Sequence, residues 1–216
     1  MRVITDEREY PTVEGMRQDG PMSVRIMTVC TGNICRSPYA QLALGHALAA
    51  VRPEAFEVTS AGTQAMIGNA VDPGSASILE TRGVAHEGFF ARQISERRLA
   101  DVDFVLPLEV SHRKLVLSYS PRHLKRAFTL KEFARLLVSA GEREPWTQRL
   151  AGLSTTEERW GALPSHLARE RGLSRAPEGA DDIADPYRRP QEAFDRMARE
   201  VDEAVERIVA FERQFE

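Results

Sequence analysis

The chain has 216 residues, 42% of them hydrophobic and 28% charged, the balance of an ordinary globular protein with room for one good-sized domain. A net charge of −3 and an isoelectric point near 6.0 offer no electrostatic case for nucleic acid or an anionic membrane as partner. Two cysteines cannot make a disulfide framework, which favours a reducing, cytoplasmic setting, and no run of about 18 apolar residues marks a membrane span.

Residues 1–22 are polar, charged and aperiodic, and read as a flexible N-terminal extension without the apolar core of a signal peptide. Met22 is an alternative start, because the first strand pattern, Val24 to Cys30, follows almost at once. Ala40, Leu42, Leu44, Ala47, Leu48 and Val51 then keep helical spacing up to Pro53. A second strand is predicted from Phe56 to Thr63, and Asp72-Pro73 opens a short helix with Gly83 as its stop. Val102 to Leu108 reads as a third strand and Lys125 to Leu130 as a short fourth, with Phe133, Leu136 and Leu137 marking the helix that follows. Phe194, Met197, Val201, Val205 and Ile208 recur every three or four residues, a strong amphipathic helix.

This alternation predicts an α/β fold, a doubly wound sandwich with a central four-stranded parallel sheet. It gives one domain over 23–216, interrupted at about 139–182, where the pattern loosens around Trp146 and Trp160. That insertion is expected to hold one or two short helices, one of them around Pro164 to Arg171. Packing onto the core is preferred to a lid, because tryptophans mostly pack.

Both cysteines lie in "VCTGNICRSPYA", Val29 to Ala40. Three readings compete there: a metal clip, a redox pair, or a nucleophile with its anion cradle. Zinc needs about four ligands, and the nearest histidine, His46, stands mid-helix with no partner motif. A thioredoxin-like pair has two residues between its thiols, whereas four separate Cys30 from Cys35. The stretch sits where a strand gives way to a helix, the junction at which open α/β sheets bind ligands and helix N-termini attract anions. Gly32 and Asn33 tolerate left-handed backbone, so the loop can turn its amides inward, and Arg36 supplies a planar charged fork. A thiol at Cys30 beside such donors is favoured as thiolate. The competing plain reading is two inert buried cysteines.

"CTGNICRS" resembles the C-x5-R phosphate loop of low-molecular-weight protein tyrosine phosphatases. "SAGT" (Ser60 to Thr63), Asp72-Pro73, "ARQ" (Ala91 to Gln93) and "DPY" (Asp185 to Tyr187) follow in that family's order. The resemblance covers roughly residues 24–138 and 183–212. It implies a phosphate loop after the first strand, made of Thr31, Gly32, Asn33, Ile34, Cys35 and Ser37 around Cys30 as nucleophile and Arg36 as clamp. Ser37 would hydrogen-bond the thiolate, Asn33 with Ser60 would hold the loop, and Asp185 would be the general acid and base. Tyr187 would form an aromatic wall, and no metal or cofactor is needed. Asp181 and Asp182 lack the following proline and tyrosine and rank behind Asp185.

The chain also departs from the family. Arg188 and Arg189 stand where a second tyrosine and a glycine are frequent. They are weighed as a selector for acidic phosphopeptides and, in preference, as a solvated charged pair. A frequent wall aromatic falls at Met66, and a histidine common just before "ARQ" gives way to Phe89 and Phe90, with His86 slightly earlier. Cys35 is read evenly as a redox guard of Cys30 or as filler. The implied activity is hydrolysis of protein phosphotyrosine in the cytoplasm, with neither nucleic acid nor membrane as partner. The alternatives are a protein arginine phosphatase on the same fold, against which the apolar Ile34 speaks, and a non-catalytic phosphoprotein-binding module. A thioredoxin-coupled arsenate reductase would need further cysteines that the chain lacks.

Overall fold

A computed structural model describes residues 23–216, and the extension expected over 1–22 lies outside the described residues. The first strand, β1 (Val24–Cys30), is buried at every position except Arg25, as a strand covered on both faces must be. It runs between β2 (Phe56–Gly62) and β3 (Phe104–Pro107) in the order β2-β1-β3. Both pairings are parallel, with Cys30 opposite Gly62 and Val29 opposite Pro107, so the three strands end at one edge.

Eight helices accompany the sheet among the described residues: α1 (Arg36–Val51), α2 (Pro73–Thr81), α3 (Glu96–Leu99), α4 (Val110–Tyr119), α5 (Leu130–Arg143), α6 (Trp146–Arg149), α7 (Thr156–Leu173) and α8 (Gln191–Arg213). Side chains alternate along the strands, as a period of two requires. Ile26, Phe104 and Leu106 join the larger core with α1, α5, α7 and α8. Met27, Val29 and Val105 face the other way, against Leu99 of α3 and Val116 of α4. The layered α/β plan is thus present, and no helix of the described residues is long and apolar enough to cross a membrane.

The expected four-stranded sheet is corrected to three strands among the described residues. Pro121–Lys125, where the fourth strand should begin, is a 3-10 turn, and only Ala127 bridges to Val105. The segment runs out because Thr129 is taken by the next helix. Its hydroxyl accepts from the Glu132 amide at 3.2 Å, and the Glu132 carboxylate accepts from the Thr129 amide at 3.3 Å. This capping box leaves too few residues for a ladder.

The insertion also differs from its expected form. α5 runs on to Arg143, and α7 has 18 residues with Pro164 inside it. A second capping box, Thr155 with Glu158, starts α7, and Trp160, Leu163 and Leu167 are buried from it. Trp160 meets Phe56 at 4.9 Å and Phe104 at 5.5 Å between ring centroids, so the insertion completes the core over the sheet. That burial offsets the proline, which costs about 3 kcal/mol in a helix interior.

The insertion is locked to α8 through Glu212, which is fully buried. Its carboxylate accepts from Arg159 at 2.8 Å, Trp160 Nε1 at 2.9 Å, Arg52 at 3.1 Å and the Thr156 hydroxyl at 3.4 Å. Removing one side of such a pair strands the other in the interior, at a cost of about 3–5 kcal/mol. Glu212→Ala is therefore expected to lower unfolding stability in urea by that order, and Glu212→Gln by less. A Glu212→Ala midpoint equal to that of the parent chain would show that the cluster contributes nothing.

Candidate active site

Thr31 to Cys35 form the loop between β1 and α1, at the edge where the strands end. Asn33 has φ +55°, a left-handed conformation that asparagine tolerates better than most residues. The turn faces the carbonyls of Cys30, Thr31, Gly32 and Ile34 outward. They accept from the amides of Thr63 (2.9 Å), Gln64 (2.9 Å), Met66 (2.9 Å) and Asp72 (2.8 Å). Among the described residues, the amides of Gly32, Ile34 and Cys35 donate to no backbone carbonyl. Asn33 N points at the Cys30 sulfur, 3.3 Å away. A curl of unspent amides at a helix start is an anion-binding concavity. It requires glycine at position 62, where a Cβ would fall 2.4 Å from the Thr31 carbonyl oxygen.

The Asn33 side chain is fully buried and sets the direction of the hydrogen bonds around Cys30. Its Oδ1 accepts from the Arg92 amide at 2.8 Å, so its Nδ2 must donate, to Ser37 Oγ and Ser60 Oγ, both at 2.8 Å. Ser60 then donates to Gln41 Oε1 at 2.7 Å. Ser37, already an acceptor, is left with its proton for the Cys30 sulfur at 3.0 Å rather than the Ala61 carbonyl at 3.5 Å. The second cysteine is different. Burial, then the charges of Asp72, Cys30 and Asp185, push the Cys35 thiol far above its ordinary range, with Arg36 the only opposing influence.

Arg36 is the first residue of α1, and its side chain is buried at 3% exposure. Nη1 donates to the Glu109 carboxylate and, at 3.3 Å, to the Ile183 carbonyl. Nη2 lies 3.1 Å from Asp185 Oδ2. Arg36 and Asp185 thus meet directly, and both lie, with Cys30, close enough to Cys35 to act on its thiol by charge. Ile34 and Met66 flank Gly32, where an added methyl would touch them at 3.6 and 3.8 Å. Tyr187 is exposed beside Asp185, whose Oδ1 accepts from the Tyr187 amide at 3.2 Å. Asp181 and Asp182 are spent elsewhere: Asp181 is bidentate with Arg135, at 3.1 and 2.8 Å, and Asp182 accepts from Val110 N at 2.7 Å.

Two neighbours were not singled out from the sequence, Glu109 and His112. Both follow β3 at the sheet edge that carries the loop, a placement readable from the third strand pattern. Burial raises the affinity of Glu109 for a proton, but Arg36 by charge and hydrogen bond, with the Ser111 hydroxyl, outweighs it and holds the carboxyl below its usual range. His112 Nε2 meets Thr31 Oγ1 at 2.9 Å, and its Nδ1 meets no hydrogen-bonding group among the described residues. Among the described residues no group of three or more His, Cys, Asp or Glu is placed to hold a metal ion.

The fold and the loop together define an α/β protein with a cysteine-centred anion cradle at the end of its first strand. The chain belongs to the low molecular weight phosphotyrosine protein phosphatase family, whose pattern matches residues 25–147. Asp185 and Tyr187 lie beyond that match. The low molecular weight protein-tyrosine-phosphatase Wzb of Escherichia coli strain K12 is 38% identical over 96 residues, which are 44% of this chain and 62% of that relative's length. The crystal structure of YfkJ from Bacillus subtilis superposes with a TM-score of 0.62 at 22% identity, covering 91% of this chain and 98% of YfkJ. The YwlE arginine phosphatase of Geobacillus stearothermophilus superposes with a TM-score of 0.59 at 22% identity, covering 87% of this chain and 91% of its own.

His112 ties the site to stability. Burial lowers its pKa from the ordinary 6.5, opposed by Glu109, reinforced by Arg36, and opposed again by Asp185 and Asp182. The unfolded chain thus binds this proton at a pH where the folded one does not. Its contribution is complete above about pH 6.5 and lost as pH falls toward the depressed value. The urea midpoint should drop between about pH 7.5 and about pH 5.5, and drop less in His112→Asn. Burial shifts His123 and His166 the same way, so some fall remains. Identical pH slopes in the two proteins would remove His112 from this role.

Proposed function

We propose that the chain is a protein-tyrosine phosphatase that hydrolyses phosphotyrosine through a phosphocysteine intermediate. The observation that carries this reading is the Cys30 sulfur at 3.0 Å from Ser37 Oγ and 3.3 Å from Asn33 N, with Arg36, at the end of the same loop, paired to Asp185 at 3.1 Å. The sulfur attacks phosphorus in line and the bond to the phenolic oxygen breaks, Asp185 giving that oxygen its proton. Water then attacks phosphorus, Asp185 takes a proton back, and Cys30 leaves as thiolate with the Ser37 hydroxyl upon it. Arg36 and the loop amides hold the phosphoryl oxygens through both steps, so the positive charge comes from the protein.

For phosphate to occupy Arg36, the Arg36–Asp185 contact must open. A protonated Asp185, which the first step requires, no longer holds the guanidinium as a counterion. Ile34 is buried and apolar at the loop, which suits a phenyl ring better than the polar group of a phosphoarginine. Tyr187 and Met66 would form the walls on either side of that ring. The name of Wzb supports tyrosine, whereas the superpositions on YfkJ and YwlE are likenesses of fold alone. We take residues 23–216 as one phosphatase unit with its insertion at 139–182, and the cytoplasm, where thiols stay reduced, as its setting.

Cys30→Ser is expected to bring hydrolysis of p-nitrophenyl phosphate to the buffer blank. Asp185→Asn should lower kcat on a phosphotyrosine peptide by about 10²–10⁴ and abolish the alkaline fall of the pH profile, since that limb reports loss of the acid proton. An unchanged profile would displace Asp185. Side-by-side kcat/KM on phosphotyrosine and phosphoarginine peptides should favour tyrosine, and the reverse ratio would transfer the chain to the arginine class. Folded wild type that binds phosphate but leaves p-nitrophenyl phosphate intact would be a binding module instead.

A further inference from the structure

The loop that carries Asp185 contains a second anomaly. Arg188 has φ +58°, a region that glycine enters freely and an arginine enters only under constraint. The turn is closed by Arg189 N on the Pro186 carbonyl at 2.9 Å. The Arg188 guanidinium lies over the Tyr187 ring, 5.1 Å from its centroid, an arrangement that holds the charge by its flat face. The donor edge of the fork stays unspent: no hydrogen bond or ion pair of the Arg188 side chain occurs among the described residues, although the chain has 32 acidic residues.

We propose that Arg188 is a specificity-determining residue that recognises a carboxylate side chain flanking the phosphotyrosine of the substrate, an inference that rests on the phosphatase reading above. Asp185 contacts Arg36 at 3.1 Å, Tyr187 stands two residues further on, and Arg188 lies over that ring. Arg36 and the loop amides already serve the phosphoryl group. A cation over the outer wall therefore meets the next side chain of the bound peptide, whose Cα is about 3.8 Å along the chain. The opposite rim, Met66 and Ile67, is exposed and apolar and supplies no competing charge. In a molecule of net charge −3, overall attraction does not favour acidic peptides, so a preference for them reports local charge. The pair Arg188 and Arg189 is thus unequal: the first guanidinium is held over the Tyr187 ring, whereas the second residue is fixed through its backbone amide alone among the described residues.

The test uses two phosphotyrosine peptides that differ only in carrying Glu or Gln on both sides of the phosphotyrosine. Binding is measured to the full chain with Cys30→Ser, and kcat/KM with the wild type. The Glu peptide should bind about two- to fivefold tighter, equivalent to ~0.4–1 kcal/mol at about 1.4 kcal/mol per decade and within the range of an exposed ion pair. Arg188→Gly, which removes charge and strain together, should bring the ratio to about one, while Arg188→Lys keeps part of it and Arg189→Ala keeps it all. Equal binding of the two peptides by the parent, or an undiminished ratio in Arg188→Gly, overturns the inference. So does a loss that falls equally on both peptides, which would mean that Arg188 only shapes the turn. An inactive wild type whose binding ratio is intact would instead overturn the phosphatase reading alone.

Discussion

The buried Asn33 side chain is the constraint on which the rest of the site depends. Its left-handed backbone turns the loop, and its amide is fixed from outside by the Arg92 N–H. Because that contact occupies the oxygen, both amide hydrogens must go to Ser37 and Ser60, and the Ser37 proton is thereby released toward Cys30. A single orientation of one amide thus decides which way every hydrogen bond around the sulfur runs. A buried network of this kind either satisfies all its members or strands one of them at full desolvation cost. Here the chain of donors ends on the sulfur, the one acceptor whose demand changes when its charge changes.

Arg36 presents the complementary problem. A guanidinium this deeply buried needs counterions, and it has two that are unlike. Glu109 follows β3, is partly buried and is held ionised by Arg36 itself. Asp185 comes from a loop and its side chain is half-exposed. Exchanging the more exposed partner for an incoming anion costs less desolvation than exchanging the less exposed one. In the proposed reaction, Glu109 and the Ile183 carbonyl keep one edge of the fork fixed while the other trades Asp185 for phosphate.

What could be read from the sequence followed the range of the interactions. The cradle from Cys30 to Ser37 was legible because it is local: a strand, a turn of permissive residues and a helix start within eight positions. Asp185 could be singled out only by resemblance, since nothing in Asp-Pro itself distinguishes a catalytic turn from any other. Glu109 and His112 escaped because their meaning arises from three strands ending at one edge, which no local pattern states. The fourth strand is absent from the described residues for a local reason, the capping box of Thr129 and Glu132. The same local chemistry sets the start of α7, where Thr155 and Glu158 outweigh Pro164 as the signal for where the helix lies.

The insertion and the site are mechanically joined through α5. Arg171 of α7 forms paired contacts with Glu132 at 2.6 and 2.9 Å, fixing one end of α5 against the insertion. One turn along, Arg135 donates to Ser174, the residue that caps α7, and grips Asp181 with its other edge. Thr129 donates to the Asp181 carbonyl at 2.8 Å, Lys131 to the Asp182 carbonyl at 3.1 Å, and Ile183 N to the Leu108 carbonyl at 2.9 Å. The chain therefore reaches Asp185 already held at three consecutive residues, two of them by a helix that the insertion braces. Ala184 N also donates, to Glu200 at 3.2 Å, so the chain is held up to the residue before Asp185. An insertion far from the sulfur in sequence thus helps to fix the loop that carries Asp185, the proton donor of the proposed reaction.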